Sequence, residues 1–297
     1  MDIITVVFCG DLSNLIYQAH SLKKNWLGEK KWYLIIEDLH HEDTILWCRH
    51  VILPIMADWD VKVIPGRDIL SKRGYNRQQI YKLWAASEIV DSDYSLILDA
   101  KNFLVRSIDG SWFFIDNKQK VALYQEITQQ SSLWKNCCNF FGKPTSLIQC
   151  PYNVTPWVWR KDLVKYTISK YKEFGCDIYT HNTQELPACE FEAYWFWSQD
   201  KIEWIRDDTM SEGVLGDLME VEFFKERIDI HLSQSKPFLT YHRYHFYNKD
   251  LYTISNEYLK FLGVVDDALI RQWIETNEYQ YSKWDYSMNK FIKKYKQ

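Results

Sequence analysis

Two segments of the sequence carry the side chains best suited to chemistry. The apolar run 94–98 stops on Asp99, and Lys101 follows two residues later. A carboxylate in this position can bind a ligand or cap a turn, and an ammonium group can neutralise a phosphate. Further along the chain, Glu190 is followed at i+2 by Glu192. A carboxylate in a cleft can act as a general base or as a nucleophile.

The pair Glu190 and Glu192 lies in a segment that is predicted to be helical. Two residues at i and i+2 diverge by about 200° on a helix. We therefore expect one of these carboxylates to face a cleft and the other to face water. The alternative is that both are surface acids that balance nearby lysine and arginine side chains.

These side chains need a scaffold, and the alternation of apolar runs with amphipathic segments predicts parallel βαβ units. The predicted strands span residues 3–9, 32–37, 61–65, 94–99, 121–126 and 156–159. The predicted helices span residues 12–26, 76–90, 162–174 and 190–198, with a helical pattern from Asn256 onward. No repeat or Pro/Gly-rich linker marks a domain boundary.

The segment 76–90 shows the clearest helical periodicity. Its predicted apolar face consists of Ile80, Leu83, Trp84, Ser87 and Val90. Gln79, Lys82 and Glu88 are predicted to point away from that face. Asn76 followed by Gln79 resembles a capping box, which places the start of the helix at Asn76.

Acidic residues follow three of the predicted strands, namely Asp11, Asp38 and Asp99. In open parallel sheets, ligands bind outside the carboxyl ends of the strands, where loops and helix N-termini meet. The sequence therefore predicts a ligand site at this edge of the sheet. For Cys9, Gly10 and Asp11, which follow the first strand, a simple Gly-Asp turn is the alternative.

The composition excludes several classes of protein. The chain has 297 residues, a formal net charge of −4 and 16% aromatic residues. This charge balance argues against nucleic-acid binding, which needs a basic surface. The seven cysteines contain no CxxC pair, so we expect reduced thiols and a cytoplasmic protein. No apolar run is long enough to cross a bilayer, and the N-terminal run 3–8 is expected to be a strand rather than a signal peptide.

One block of residues resembles a known family. Its members are Gly74, Tyr75, Gln78, Gln79, Lys82 and Leu83, followed by the strand 94–99. This order resembles the GT-A glycosyltransferases, whose nucleotide-binding strand ends in an Asp-x-Asp motif, and in particular a bacterial and viral subgroup with a Gln-Gln-x-x-Lys-Leu helix before that motif. The resemblance extends to Thr155-Pro156 and to Glu190-x-Glu192-x-Tyr194, and it covers residues 3 to 200.

The resemblance implies an α/β, GT-A-type (Rossmann-like) single domain with a mixed, mostly parallel sheet. We expect this domain to span residues 1–250, with a helical C-terminal extension, residues 251–297, packed on it. The implied activity is that of a glycosyltransferase, a hexosyltransferase. It would move a sugar from a nucleotide-diphosphate sugar, with UDP as the default nucleotide, to a glycan or other hydroxyl acceptor.

The Asp-x-Asp motif is altered in this chain. In such enzymes two carboxylates hold Mn²⁺ or Mg²⁺, which bridges the donor diphosphate. Here Lys101 stands in place of the second carboxylate, so Asp99 alone would hold the ion. We expect either metal-independent transfer, in which Lys101 neutralises the diphosphate, or a site whose other ligands lie elsewhere, with His242 or His245 as candidates.

The resemblance also assigns site residues. The predicted donor contacts are Cys9, Gly10, Asp11, Gln79, Lys82, Asp99 and Lys101. Thr155 and Trp157 are predicted acceptor contacts, and Glu190 is the predicted catalytic residue. The alternatives are a capping role for Gln79, solvated side chains for Lys82 and Lys101, and a Trp-Val-Trp pattern that only marks one face of a sheet.

Other functional classes fit the sequence to different degrees. A nucleotide-sugar-binding or carbohydrate-binding protein that has lost catalysis is favoured by Lys101 in the motif. A nucleotidyltransferase is disfavoured because the sequence has no Gly-rich phosphate loop. Hydrolases with GxSxG or HExxH motifs are excluded because neither motif occurs.

Overall fold

The structure is a computed structural model. It describes residues 1–37, 41–67, 69, 74–122, 132–143, 151, 155–180, 186–207, 211–214, 226, 229–230, 233–234, 236–241 and 249–276. Asp38, His242 and His245 therefore lie outside the described residues, as do most of the predicted strand 121–126 and residues 277–297.

The strands of the described part are numbered in chain order. They are β1 (Asp2–Val7), β2 (Lys31–Ile36), β3 (Asp60–Pro65), β4 (Tyr94–Asp99), β5 (Asn102–Leu104), β6 (Phe114–Ile115), β7 (Lys118–Val121), β8 (Trp157–Arg160), β9 (Trp204–Arg206), β10 (Ser211–Val214) and β11 (Phe238–Tyr241).

The helices are numbered in the same way. They are α1 (Leu12–Asn25), α2 (His41–Trp47), α3 (Leu53–Ile55), α4 (Gly74–Trp84), α5 (Ser132–Phe140), α6 (Lys161–Glu173), α7 (Glu190–Ser198) and α8 (Lys249–Phe261). A π-helical turn, Cys48–Ile52, joins α2 to α3, and a second one, Ala85–Ile89, extends α4. Residues 267–276 are also helical.

A five-stranded sheet forms the centre of the fold, in the order β3-β2-β1-β4-β8. The first four of these strands are parallel, and β8 pairs antiparallel with β4 at the edge. Two smaller sheets have the orders β10-β11-β5 and β6-β7-β9. The predicted α/β architecture with a mixed, mostly parallel sheet is confirmed.

Helices cover both faces of the central sheet, so its strands are buried on both sides. Because side chains alternate along a strand, Ile3 and Val7 of β1 pack on one side while Ile4 and Val6 pack on the other. The first side carries α1 and is called the α1 face. The second carries α4 to α7 and is called the α4 face. Asp99 follows the alternation of Ile97, which places it on the α4 face.

The C-terminal helices contribute to the core of the α1 face. Leu259 of α8 and Trp273 are buried in it, and the hydroxyl of Tyr17 on α1 donates to Asn256 Oδ1 at 2.9 Å. The predicted boundary at residue 250 stays a prediction. No helix in the described ranges has both the length and the apolar character that a membrane span requires.

Several boundaries differ from the predicted ones. Helix α4 begins at Gly74, so Asn76 is a buried residue inside the helix and not its N-cap. Val121 ends β7 and does not begin a strand. Trp157 and Trp159 do share one face of β8, where their rings contact Phe191 and Tyr194 of α7 at centroid distances of 5.6 and 5.4 Å.

Candidate functional site

Asp99 ends β4 at the carboxyl edge of the central sheet, where the chain turns into β5. Two buried amide side chains hold this turn. Gln18 of α1 donates from Nε2 to the carbonyl oxygens of Asp99 and Asn102, at 2.7 and 3.0 Å. Asn102 accepts the backbone N–H of Asp99 at Oδ1 (2.6 Å) and donates from Nδ2 to Thr240 of β11 at 2.7 Å. The backbone of the Asp99 turn is therefore held by side chains from α1 and β5, and the β5 side chain is in turn held by β11.

Lys82 of α4 reaches the Asp99 carboxylate from the α4 face. Its Nζ lies 2.9 Å from Asp99 Oδ1 and 3.2 Å from Glu190 Oε1, and it lies over the ring of Phe191 at 4.7 Å. Only 4% of the Lys82 side chain is exposed. Burial by itself lowers the pKa of Lys82, but the carboxylates of Asp99 and Glu190 outweigh burial, and the pKa is raised. The ammonium group is therefore charged at neutral pH.

Lys101 approaches Asp99 from the solvent side. Its Nζ lies 3.5 Å from Asp99 Oδ2, and 31% of its side chain is exposed. Burial by itself raises the pKa of Asp99, but the charges of Lys82 and Lys101 hold it well below its usual range, and the Thr155 hydroxyl acts in the same direction. Asp99 is thus a carboxylate with an ammonium group at each of its oxygens, and Lys101 is the one of these two cations that reaches solvent.

Glu190 and Glu192 both lie in the first turn of α7, and both are buried. Glu190 contacts Lys82 through Oε1 and accepts a hydrogen bond from the Cys189 thiol at Oε2, at 2.8 Å. Burial raises the pKa of Glu192 to about 7, the charge of Glu190 adds to the rise, and the Cys189 thiol opposes it. The expectation that one of the two faces water is wrong, and so is the alternative that both are surface acids. The reason is that α4, α5, α6 and β8 all pack against α7, which leaves no exposed face in its first turn.

Gln79 and Lys82 are also buried, with relative exposures of 3% each. The expectation that they point away from the packed face of the helix is wrong, because α7 covers the side of α4 that the sequence pattern assigned to solvent. Glu88 does reach solvent. The neighbouring Arg77 forms an ion pair with Glu37, which follows β2, with 2.9 Å between Nε and Oε1.

The remaining predicted contacts lie in the turn after β1 and at or just before the start of β8. Cys9 to Asp11 form a 3₁₀ turn directly after β1, the strand next to β4. Thr155 is buried, and its carbonyl oxygen accepts from Asn102 Nδ2 at 3.4 Å. Trp157 is buried with its ring stacked on Phe191.

The donor set around Asp99 does not fit a divalent cation. Carboxylate and other oxygen ligands would have to replace ammonium groups that already lie beside both oxygens of Asp99. Across the described ranges, no group of three His, Cys, Asp or Glu side chains is placed to hold a metal ion. His242, the other proposed ligand, lies outside those ranges.

Sequence reasoning missed Gln18, Asn102 and Cys189. Gln18 gives a signal in retrospect, because it stands inside the apolar stripe of α1, next to Ala19 and three residues from Leu15. A polar residue in an apolar stripe is buried and needs partners. The partners themselves come from distant parts of the chain, so the sequence does not identify them.

Solved structures of glycosyltransferases share the fold. The apo form of the glycosyltransferase GlyE from Streptococcus pneumoniae TIGR4 superposes with a TM-score of 0.51 at 12% identity, covering 95% of this chain and 63% of GlyE. The galactosyltransferase LgtC, in complex with donor and acceptor sugar analogs, superposes with a TM-score of 0.50 at 11% identity, covering 93% of this chain and all of LgtC. At these identities the likeness establishes the GT-A-type fold alone.

The chain thus spans less than two thirds of the length of GlyE. No curated protein matches the sequence significantly. The model of one sequence family matches residues 29–215, which form more than half of the chain. The chain therefore belongs to the family of unknown function DUF6492.

Proposed function

We propose that the chain is a glycosyltransferase that moves a sugar from a nucleotide-diphosphate sugar, with UDP as the nucleotide, to a hydroxyl of a glycan or another acceptor. One observation carries the proposal. A fixed carboxylate, Asp99, stands between Lys82 and Lys101 at the carboxyl edge of a sheet of the GT-A type. Ligands of such sheets bind outside this edge.

Lys101 is the proposed contact to the diphosphate. Transfer breaks the bond between the anomeric carbon and the diphosphate oxygen, which leaves with the electron pair, and forms a bond from the acceptor oxygen to that carbon. The acceptor hydroxyl gives its proton to a general base, for which Glu190 is the proposed residue. Fixed positive charge beside the leaving oxygen stabilises the negative charge that develops there. A partly exposed ammonium held at 3.5 Å from Asp99 can supply that charge without a metal ion.

Lys82 is the second proposed donor contact, and Glu190 fixes its position. A long lysine side chain has many rotamers, and the two carboxylates within 3.2 Å restrict it to one. Cys9, Gly10 and Asp11, in the turn after the neighbouring strand, remain the proposed contacts to the nucleoside. Thr155 and Trp157 remain the proposed contacts to the acceptor.

Glu190 remains the proposed catalytic carboxylate. Glu190→Gln keeps the shape of the side chain but removes its charge, so we expect it to abolish transfer. Nucleotide binding should persist, because Lys82 keeps Asp99 as its partner and Lys101, the proposed diphosphate contact, does not contact Glu190. Glu192→Gln is the matched control in the same helical turn and should retain activity at pH 6. A Glu190→Gln variant with full activity would remove this residue from the mechanism.

A panel of nucleotides and nucleotide sugars tests the donor class. We expect UDP-sugars to raise the melting temperature of the protein equally in Mn²⁺ and in EDTA, since no step is assigned to a metal. Stabilisation that disappears in EDTA would contradict the role given to Lys101. A panel in which no nucleotide or nucleotide sugar shifts the melting temperature would contradict the proposed function.

A second function is favoured by the engagement of both carboxylates. Because Asp99 and Glu190 each contact an ammonium group, a nucleotide-sugar-binding protein without transferase activity is compatible with the same geometry. Slow hydrolysis of a UDP-sugar by the purified protein separates the two, since a binding protein leaves the donor intact.

We place the protein in the cytoplasm, which agrees with the lack of disulfides among the six cysteines of the described ranges.

A further inference from the structure

Gln79 is a buried amide whose oxygen has no hydrogen-bond donor. Its relative exposure is 3%, and no donor within the described ranges reaches its Oε1. Folded proteins satisfy nearly all buried polar atoms, since an unpaired one loses its hydration without compensation. A buried acceptor without a donor is therefore a place where a ligand can supply the missing partner.

Gln79 lies on the same side of α4 as Lys82, a proposed donor contact. Gln79 precedes Lys82 by three residues, so the two side chains lie on neighbouring parts of the same helix surface. Helix α4 follows β3 and begins at the carboxyl edge of the sheet, running antiparallel to β4. Measured along the helix axis, Gln79 is about 4.5 Å closer than Lys82 to the amino end of α4, which is the end at the carboxyl edge of the sheet, where ligands bind.

The chemistry of the missing hydrogen-bond donor limits which part of a ligand can contact Gln79. The Gln79 oxygen needs a donor, and a diphosphate offers only acceptors. A hydroxyl group donates and accepts, so it can pair with a carboxamide in either direction. In a nucleotide sugar, such hydroxyls occur on the transferred sugar and on the ribose.

We propose that Gln79 is a specificity-determining residue that accepts a hydrogen bond from a hydroxyl of the transferred sugar. This inference rests on the proposed function. The sugar is favoured over the ribose because Gln79 lies next to Lys82, and Lys82 contacts Asp99. The turn of Asp99 and Lys101 is the proposed site of the diphosphate and of the bond that breaks. The nucleoside is assigned instead to the turn after β1.

The test compares Gln79→Met with Gln78→Met. Methionine has nearly the length of glutamine and cannot accept a strong hydrogen bond, and Gln78 is a partly exposed neighbour on the same helix. The measurements are the melting temperature without ligand and the dissociation constants of UDP, UDP-glucose and UDP-galactose by titration calorimetry. For Gln79→Met we expect an unchanged or higher melting temperature, wild-type affinity for UDP, and affinity for the better-bound UDP-sugar reduced about five- to tenfold. Gln78→Met should match wild type throughout.

Four outcomes would overturn the inference, and they differ from one another. If Gln79→Met binds the UDP-sugar as tightly as wild type, the inference is wrong while the proposed function stands. If it loses affinity for UDP and the UDP-sugar equally, the contact is to the ribose and not to the sugar. A melting temperature lowered by several degrees would show that Gln79 has a partner within the protein. Wild-type protein that binds none of the three compounds contradicts the proposed function itself, and the inference with it.

Discussion

The two ends of the central sheet carry ion clusters that differ in their contact with water. At the amino edge, Asp91 pairs with Lys31 and lies 3.6 Å from Lys62, and 65% of its side chain is exposed. At the carboxyl edge, Lys82 is 4% exposed and lies between Asp99 and Glu190. The two clusters hold similar numbers of charges, but the cluster at the carboxyl edge is much more buried.

This difference separates a surface cluster from a candidate site. Exposed ion pairs contribute little to stability because water and salt screen them, and they occur on many protein surfaces. Buried ions lose their hydration, and replacing them with apolar residues often leaves a protein equally stable or more stable. A buried triplet of Lys82, Asp99 and Glu190 is therefore poorly explained by stability, which supports a role in binding or catalysis.

The largest expected effect is that of Lys82→Met. It leaves Asp99 with Lys101 alone and strands the buried carboxylate of Glu190, so we expect the free energy of unfolding to fall by about 3–5 kcal/mol. Denaturant titration at pH 7 measures it. Lys31→Met at the amino edge is the matched control, and we expect its transition midpoint to lie close to that of wild type.

A double variant identifies the cause of the loss. Lys82→Met combined with Glu190→Gln removes the stranded charge, so part of the stability should return. If the double variant is as unstable as the sum of the two single variants, the loss comes from packing and the contrast between the two ends does not hold.

Much of the scaffold follows from the sequence. The limits of β4 and α7 are confirmed as predicted, and α1 agrees within one residue at its end, because apolar runs and helical periodicity are local signals. The turn at Asp99 was also predictable, since an acid that ends an apolar strand contributes nothing to the core.

The burial of the polar side chains was not predictable in the same way. Gln79 and Lys82 lie opposite the most apolar side of α4, so the periodicity assigned them to solvent, and only the packing of α7 across that side buries them. Glu192 is buried for the same reason. Gln18 contacts Asp99, which is 81 residues away in sequence, and no local pattern contains that information.

The second prediction concerns the pH dependence that Glu192 imposes. Burial raises its pKa from its ordinary value of 4.5 to about 7, so between these pH values the folded protein holds a proton that the unfolded chain has released. The contribution of Glu192 to the unfolding free energy is therefore most favourable below pH 4.5 and declines as the pH rises toward 7, by about 3 kcal/mol in total. Glu192→Gln should remove this decline.

The measurement is the free energy of unfolding of wild type and Glu192→Gln at pH 5 and pH 8. We expect Glu192→Gln to gain stability relative to wild type by about 2.5 kcal/mol more at pH 8 than at pH 5. Asp91, which is exposed at the other end, gives no change in this range because its lowered pKa lies near 2. If the stability difference between the variant and wild type is the same at the two pH values, folding does not raise the pKa of Glu192, and the prediction is wrong.

The third prediction tests the hydrogen bonds by which Gln18 holds the Asp99 turn. Gln18→Leu removes the donor to two buried carbonyl groups and the acceptor for the Thr5 hydroxyl, and we expect a loss of about 1–3 kcal/mol in unfolding free energy. If these hydrogen bonds position Asp99 and Lys101, UDP-sugar affinity should fall as well. Gln78→Leu, on the partly exposed side of α4, is the control and should change neither quantity.

The smallest expected effect is that of Asp91→Asn at the amino edge. The pKa of Asp91 is lowered to about 2, first by its hydrogen bond with Lys31 and then by Tyr33, so its contribution to stability is present above pH 3.8 and is lost as the pH falls through 2. At pH 7 we expect a slightly lower unfolding midpoint than that of wild type in low salt.

In 1 M NaCl, where the screening length is about 3 Å, the difference should disappear, because both partners reach solvent. The deficit of Lys82→Met should persist in the same salt, since ions do not enter a buried triplet. A salt-independent deficit for Asp91→Asn would mean that the exposed cluster is held as rigidly as the buried one, and burial would no longer distinguish the candidate site from the rest of the surface.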